Sequence, residues 1–348
     1  MPLGKKFKVG LVGVAHPHVW GILRSLRESG MGSLVAASLD GPSSEFDRER
    51  LRSEHGLGKL YGDFREMLEK EDVDAVFNYA DHSRRVPATE LAASKGLHVM
   101  VEKPMAYSLR DADRMLEAAE KNGVKLMVNW PTMWSAPYRK AFELAESGGV
   151  GRIFHVRARV GHDSCEEDGF EGSCFQWMGQ KEAGGAYLDF CCYGVALAAR
   201  LMGMPKRVFG TAGNFVKSFI PSYDDGIVVM LYERGTAVVE GTWSQVGNVP
   251  EGPEIYGTRG TVLIGADEIT VFAKEKRGGE AVGAGPLPPG ERNAVEYFLA
   301  RIEKDEPVGG MCDPKFSRDV QEVLEAGLIS SERGEAVALP LKAVEKSP

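Results

Sequence analysis

The chain has 348 residues, 43% of them apolar and 26% charged, with a formal net charge of −8. That length gives room for two domains with sizeable cores, and the composition excludes a disordered chain. The negative charge argues against nucleic acid or an anionic membrane as main partner, and no apolar run approaches the roughly 20 residues needed to cross a bilayer, so a soluble cytoplasmic protein is expected.

Residues 7–12 (FKVGLV) read as a first strand and Gly13-Val14-Ala15-His16-Pro17-His18 as a tight turn; Val19, Ile22, Leu23 and Leu26 then mark the apolar face of a helix. Strand, turn and helix are the context in which a glycine-rich turn receives a dinucleotide pyrophosphate. Here the glycine pattern is worn. With Gly13 as the first glycine, Ala15 and His18 stand in the second and third places. Residues 34–39 form a second strand ending in Asp40, about 20 residues past the turn, where a carboxylate can bond both ribose hydroxyls of NAD. Asp40 would repel a 2′-phosphate, whereas Ser43, Ser44 and Arg48 close by keep NADP open. A His-x-His pair can also bind metal. No carboxylate or further histidine stands at ligand spacing from His16 and His18, and helix N-terminal amides disfavour a cation. Loop structure or phosphate contact is therefore the expected role, and no metal is expected.

The alternation of helix and strand continues. Residues 63–68 open a helix, 74–79 form a strand, and Ala80-Asp81-His82-Ser83-Arg84-Arg85 is the loop at its end. A helix over about 86–95 stops at Gly96. Leu97, Val99, Met100 and Val101 then make a short buried strand that presents Glu102-Lys103-Pro104. Ligands of parallel sheets bind beyond the carboxyl ends of the strands. A lysine placed there can be desolvated, and its pKa lowered enough to exchange a proton near neutral pH. Ser108 and Asp111 make a capping-box-like start to the next helix, whose apolar face is Ala112, Met115, Leu116 and Ala119. Gly123 ends it, and a strand at 124–128 delivers Asn129. These short helical crossovers predict a Rossmann-type, doubly wound parallel sheet over residues 1–128.

Beyond Gly148-Gly149-Val150-Gly151 the period changes. Residues 152–160, 207–214, 226–232, 236–243 and 260–264 read as strands, the first alternating apolar and polar like a strand with one face exposed. Residues 129–348 are thus expected to be a second α/β domain with a large, mostly antiparallel open sheet. Helices are predicted at 185–202, 292–304 and 317–331, and a flexible loop at 277–290. On the first of these helices Asp189 and Tyr193, four apart, share one face and would suit removal of a hydroxyl proton opposite Lys103. A buried Tyr–Asp hydrogen bond that fixes the helix is the alternative. His162, Asp163, Trp177 and Arg157, near strand or helix ends, are candidate substrate contacts. The five cysteines, Cys165, Cys174, Cys191, Cys192 and Cys312, have neither framework nor zinc spacing and read as reduced thiols.

Glu102-Lys103-Pro104 after a buried strand, Gly184-Gly185-Ala186-Tyr187-Leu188-Asp189 and Tyr193 together resemble the Gfo/Idh/MocA oxidoreductases. The resemblance covers nearly the whole chain, including the turn Gly257-Thr258-Arg259-Gly260-Thr261. It implies a Rossmann domain, a second domain whose open sheet often forms the oligomer interface, and substrate held between the two against nicotinamide. It also implies that Lys103 contacts substrate near the hydride-transfer carbon, and that Asp189 and Tyr193 complete the catalytic set. Tyr193 stands where many members carry histidine, so the general acid/base is Tyr193 or Lys103. The expected cofactor contacts are Gly13, Ala15, His16, His18, Asp40, Ala80, His82, Glu102, Lys103 and Asn129; substrate is expected to meet Lys103, His162, Asp163, Trp177, Asp189 and Tyr193.

The departures lie at the Gly13 turn, at Ala80-Asp81-His82-Ser83-Arg84-Arg85, and at Cys191 in place of a glycine. They suggest a divergent branch with its own substrate. The expected protein is a homodimer or homotetramer using NAD, with NADP open, to move a hydride to or from a sugar, polyol or similar carbinol. A non-catalytic dinucleotide-binding regulator or sugar sensor, and an NAD-dependent glycoside hydrolase, are the alternatives.

Overall fold

The computed structural model describes residues 6–164, 166–167, 175–247, 249, 252–274, 276 and 278–342; Cys165 and Cys174 lie outside the described residues. The chain forms two compact units. Met1–Trp130, Asp168–Met178 and Pro288–Arg318 make the first, and Pro131–Glu167, Gly179–Leu287 and Asp319–Pro348 the second.

The first unit holds six parallel strands in the order β3-β2-β1-β4-β5-β6. They are β1 (Phe7–Val12), β2 (Gly32–Ser38), β3 (Leu60–Tyr61), β4 (Ala75–Asn78), β5 (His98–Glu102) and β6 (Leu126–Asn129). Every residue of β4 and β6 is buried, so both faces of the sheet are covered there and the strands carry uninterrupted apolar runs. The crossovers are α1 (His18–Ser29), α2 (Glu45–His55), α3 (Phe64–Lys70), α4 (His82–Ser94) and α5 (Leu109–Asn122). In α1 the buried side chains are the expected Val19, Ile22, Leu23 and Leu26.

Helix α2 went unread because only Leu51 of it is buried; a capping box between Ser44 and Asp47 starts it instead of an apolar stripe. Helix α4 corrects the predicted loop. It begins at His82, since Asp81 accepts the Ser83 N–H and caps it, so the loop shrinks to Ala80 and Asp81.

The second unit holds nine strands in the order β14-β13-β12-β11-β7-β10-β9-β8-β15. These are β7 (Ile153–Gly161), β8 (Arg207–Gly213), β9 (Asp225–Tyr232), β10 (Gly235–Thr242), β11 (Glu254–Gly257), β12 (Gly260–Ile264), β13 (Glu268–Ala273), β14 (Glu280–Gly283) and β15 (Val337–Ala338). Neighbours are antiparallel except β7 and β10. Strand β14 corrects the loop predicted at 277–290: residues 280–283 pair with β13 despite their glycine-rich surroundings.

Burial alternates along β9 and β10, and the covered face meets α7 (Gly185–Met202). A Cβ at Gly194 would lie 2.5 Å from Val239 Cγ1 and 2.9 Å from Ala158 Cβ, so a glycine is what lets α7 sit this low on β10 and β7. Helix α6 (Ala136–Glu146) covers the other end through Ala141, against Ile255, Val262, Ile264 and Ile269. After this sheet the chain returns to the first unit as α8 (Ala294–Glu303), which packs on α1 and sets Phe298 6.4 Å from the Phe77 ring.

Candidate functional site

The carboxyl ends of the parallel strands bring most of the predicted first-unit residues together. Gly13 has φ +72°, and a Cβ on it would lie 2.6 Å from Ala80 Cα; glycine therefore lets the β1 turn rest directly on the end of β4. The turn is pinned on both sides, Gly13 N–H donating to Ser38 O at 2.9 Å and Ala15 N–H to Tyr79 O at 3.0 Å. From this turn the His16 and His18 rings stand 4.2 Å apart, and His16 Nδ1 accepts the His18 N–H at 3.2 Å.

His18 does not pack against the sheet as the third glycine of the motif would. Its Nδ1 meets Glu102 Oε1 at 2.9 Å, while the other carboxylate oxygen accepts from Asn129 Nδ2 at 3.1 Å. The same Asn129 nitrogen donates to Tyr79 Oη at 3.2 Å. Burial alone would push the fully enclosed Glu102 carboxyl up. The charges of His18 and His16, the His18 hydrogen bond and Lys103 outweigh it and hold the group at about 2. Burial, reinforced by the Glu102 charge, drives the Tyr79 phenol well above its ordinary value.

Lys103 follows at once and is 2% exposed. Its backbone is braced by Arg85, which is itself buried. Arg85 Nη1 donates to the carbonyls of Glu102 and Pro104 at 3.1 and 2.6 Å, and Nε and Nη2 donate to Ala80 O at 3.2 and 3.0 Å. Burial lowers the guanidinium to about 10, opposed by the Glu102 and Asp81 charges, so it stays protonated at neutral pH. Arg85 therefore clamps the residues on either side of Lys103. Sequence reasoning passed over it as a loop residue, because the carbonyls it binds come from three places in the chain.

Asp40 closes β2 half-buried, and its Oδ1 is enclosed with no hydrogen-bond partner among the described residues. Burial is the main cause raising its carboxyl above the ordinary value. Ser44, which kept NADP open, is occupied: its N–H and hydroxyl donate to Asp47 Oδ2, both at 2.7 Å. Arg48 lies 3.7 Å from Glu45, and Ser43 Oγ donates to Leu39 O at 3.3 Å. Trp177 groups with the first unit. Its indole N–H donates to Ala15 O at 2.7 Å, and the His82 ring meets it edge-on at 5.3 Å.

The remaining predicted residues belong to the second unit, where Asp189, Phe190 and Tyr193 ride on α7. Asp189 is 7% exposed and Tyr193 half-buried. Asp189 Oδ2 accepts the Trp243 indole N–H at 3.3 Å, and Trp243 and His162 both meet the Phe190 ring edge-on. Asp163 pairs with Lys217 Nζ at 2.6 Å. Asp163, His162 and Asp189 are thus gathered around Phe190, Trp243 and Lys217, the last two unread because they lie more than 50 residues from their partners. Arg157 stands apart, about half exposed and 3.8 Å from Glu240. Cys191, Cys192 and Cys312 are buried, and burial pushes the Cys191 thiol well up, which suits packing rather than nucleophilic attack.

Comparison with known proteins covers both units. Residues 7–130 match the model of an oxidoreductase family with an NAD-binding Rossmann fold, and residues 138–263 match that of the GFO/IDH/MocA C-terminal domain. Myo-inositol 2-dehydrogenase of Thermotoga maritima is 25% identical over 244 residues, 68% of this chain and 70% of that protein. A D-xylose 1-dehydrogenase (NADP(+)) of Haloferax volcanii is 27% identical over 240 residues, 67% of this chain and 69% of its own. Among solved structures, levoglucosan dehydrogenase in complex with NADH and L-sorbose superposes with a TM-score of 0.81 at 20% identity, over 97% of this chain and 100% of that one.

Proposed function

Because the chain belongs to the Gfo/Idh/MocA oxidoreductases, with an NAD-binding Rossmann domain and that family's C-terminal domain, we propose that it is an NAD-dependent dehydrogenase acting on a CH–OH group of a sugar, polyol or similar carbinol. The observation that carries this reading is Lys103, enclosed at the end of a parallel strand and braced on both sides by Arg85. A lysine so held, where parallel sheets bind their ligands, is a proton-transfer group with its position set in advance. The names of the relatives support the substrate class, since myo-inositol, D-xylose and levoglucosan are all polyhydroxylated.

The residues fit the cofactor. Gly13 leaves the turn low against β4, and Asp40 offers an enclosed carboxylate oxygen that a ribose hydroxyl would satisfy. Gly13, Ala15, Asp40, Ala80 and Asn129 would hold the dinucleotide, with His16, His18 and His82 beside it. When bound, nicotinamide accepts or returns the hydride. The proton work is assigned to this chain: Lys103 in the first unit and Tyr193 in the second are the proposed acid/base groups, and Asp189 is the proposed substrate-orienting group. NAD is favoured over NADP by Asp40 and by the engagement of Ser44 with Asp47 and of Arg48 with Glu45.

A homo-oligomer formed on the second sheet's outer face is part of the same reading. Phe209, Val229, Val238 and Leu263 are only partly covered there, which light scattering after gel filtration can test. The decisive experiment titrates the protein with NADH by fluorescence and then follows nicotinamide absorbance across a panel of sugars and polyols. Turnover of at least one carbinol is expected. Tight NADH binding with no turnover across the panel would turn the reading toward a regulator or sensor, and aglycone release without net change in NADH toward glycoside hydrolysis.

A further inference from the structure

The donor atoms of His16, His18 and Glu102 all lie within 4.8 Å of one another. Two imidazole nitrogens and one carboxylate oxygen form a donor set that suits zinc-type transition cations better than magnesium or calcium, which prefer oxygen alone. We propose that these three side chains bind one divalent transition-metal cation at the end of β5, next to Lys103.

The surroundings are those of a ligand set. The Glu102 side chain is fully enclosed, and its second oxygen is held by Asn129 at 3.1 Å, which turns Oε1 toward His18. The His16 ring is fixed by the amide of His18. Such outer hydrogen bonds are what orient metal ligands. The His18 side chain is 35% exposed, which leaves a side for solvent or a substrate oxygen as fourth ligand. Without a cation His18 Nδ1 and Glu102 Oε1 satisfy each other; a cation takes their place as the shared partner, and the His18 amide keeps its bond to the His16 ring. Ligand atoms about 2.1 Å from a tetrahedral zinc stand roughly 3.4 Å apart, so the His18–Glu102 pair at 2.9 Å must open slightly and any longer separation within the 4.8 Å cluster must close, through a turn of the partly exposed His18 ring.

Two features oppose the cation: the amino end of α1, and the positive charges of Lys103 and Arg85. The helix end acts weakly against three directed ligands, and the partly exposed His18 admits water that screens the two side chains. The inference does not rest on the dehydrogenase reading, because metal uptake is measured without dinucleotide or substrate.

The test strips the full chain with chelator and dialyses it. Zinc bound after gel filtration is then counted by mass spectrometry, and the visible d–d absorption of bound Co2+ is recorded. One equivalent per chain and a tetrahedral-type Co2+ spectrum are expected. His18→Ala should weaken binding by about 100-fold or more, and Glu102→Gln should do likewise, while His155→Ala in the second unit should bind as the parent does. Substoichiometric uptake by the parent, or equal affinity in the parent and His18→Ala, would overturn the proposal and leave a hydrogen-bonded His–Glu pair. If Glu102→Gln fails to fold, the partly exposed His18 position still decides the question.

Discussion

At the end of β5, Glu102 is engaged through both carboxylate oxygens, and the backbone around Lys103 is held by a buried guanidinium. Three strands away, just past the end of β2, Asp40 is half-buried with one enclosed oxygen that has no hydrogen-bond partner among the described residues. Both positions lie on the binding edge of one parallel sheet, yet they are built to different purposes. On the proposed reading, the first uses its hydrogen bonds to fix the side chain assigned to proton transfer before any ligand arrives. The second leaves an acceptor whose partner must come from outside, and tolerates the cost of burying it. Preorganisation for chemistry and incompleteness for recognition thus occur in one sheet, and each can be tested against the other.

The largest expected effect is on the braced side. Arg85→Met would leave buried carbonyls of Ala80, Glu102 and Pro104 without their donor, at about 1–3 kcal/mol for each unsatisfied group, so a loss of about 3 kcal/mol or more is expected by urea unfolding. Asp40→Asn should show the opposite sign. Burial holds the folded Asp40 carboxyl above its unfolded value, so its ionisation opposes folding. The variant should be slightly more stable than the parent at neutral pH, with the gain vanishing as pH falls below about 4. Near-equal losses from the two substitutions would remove the distinction between the two strand ends.

Next in size is the chemical step. Lys103→Met and Tyr193→Phe are each expected to slow single-turnover hydride transfer by about 100-fold or more, equivalent to about 2.7 kcal/mol in the barrier, with NADH binding kept within a few fold. Survival of turnover in both variants would end the assignment of proton transfer to this pair. Asp40→Ala should do the reverse, weakening NADH by about 10-fold and narrowing its preference over NADPH while sparing the rate at saturating cofactor.

The same contrast explains what the sequence made legible. A strand buried on both faces must be apolar throughout, so Val99, Met100 and Val101 announce β5, and the charged pair after them stands out. The clamp around that pair is not local. Arg85 binds carbonyls up to 19 residues away, Glu102 reaches His18 across 84, and Trp243 reaches Asp189 across 54, distances at which spacing carries no signal. For that reason spacing alone gives the His-x-His pair no carboxylate, although β5, two strands along the sheet, supplies Glu102. The second sheet shows the same limit at one edge. β14 has β13 alone to pair with, and a short glycine-flanked stretch such as 280–283 reads as loop until its partner is known.

The smallest effect concerns Ser44, which lies between the two kinds of role. Its hydroxyl accepts the Asp47 N–H at 3.2 Å, and the Asp47 carboxylate bonds back to the Ser44 backbone at 2.7 Å, closing the box that starts α2. If the cap is its whole function, Ser44→Ala should cost about 1 kcal/mol of stability and leave the ratio of NADH to NADPH affinity unchanged. A serine that also receives a 2′-phosphate would lose NADPH affinity selectively when truncated. That outcome would make the loop after Asp40, and not the carboxylate alone, the place where the cofactor is chosen. Because the cap already satisfies the hydroxyl and α2 has only Leu51 to bury, releasing Ser44 to a ligand would uncap a helix with little else to hold it. Unchanged discrimination together with a lowered melting temperature is therefore the expected pair of results.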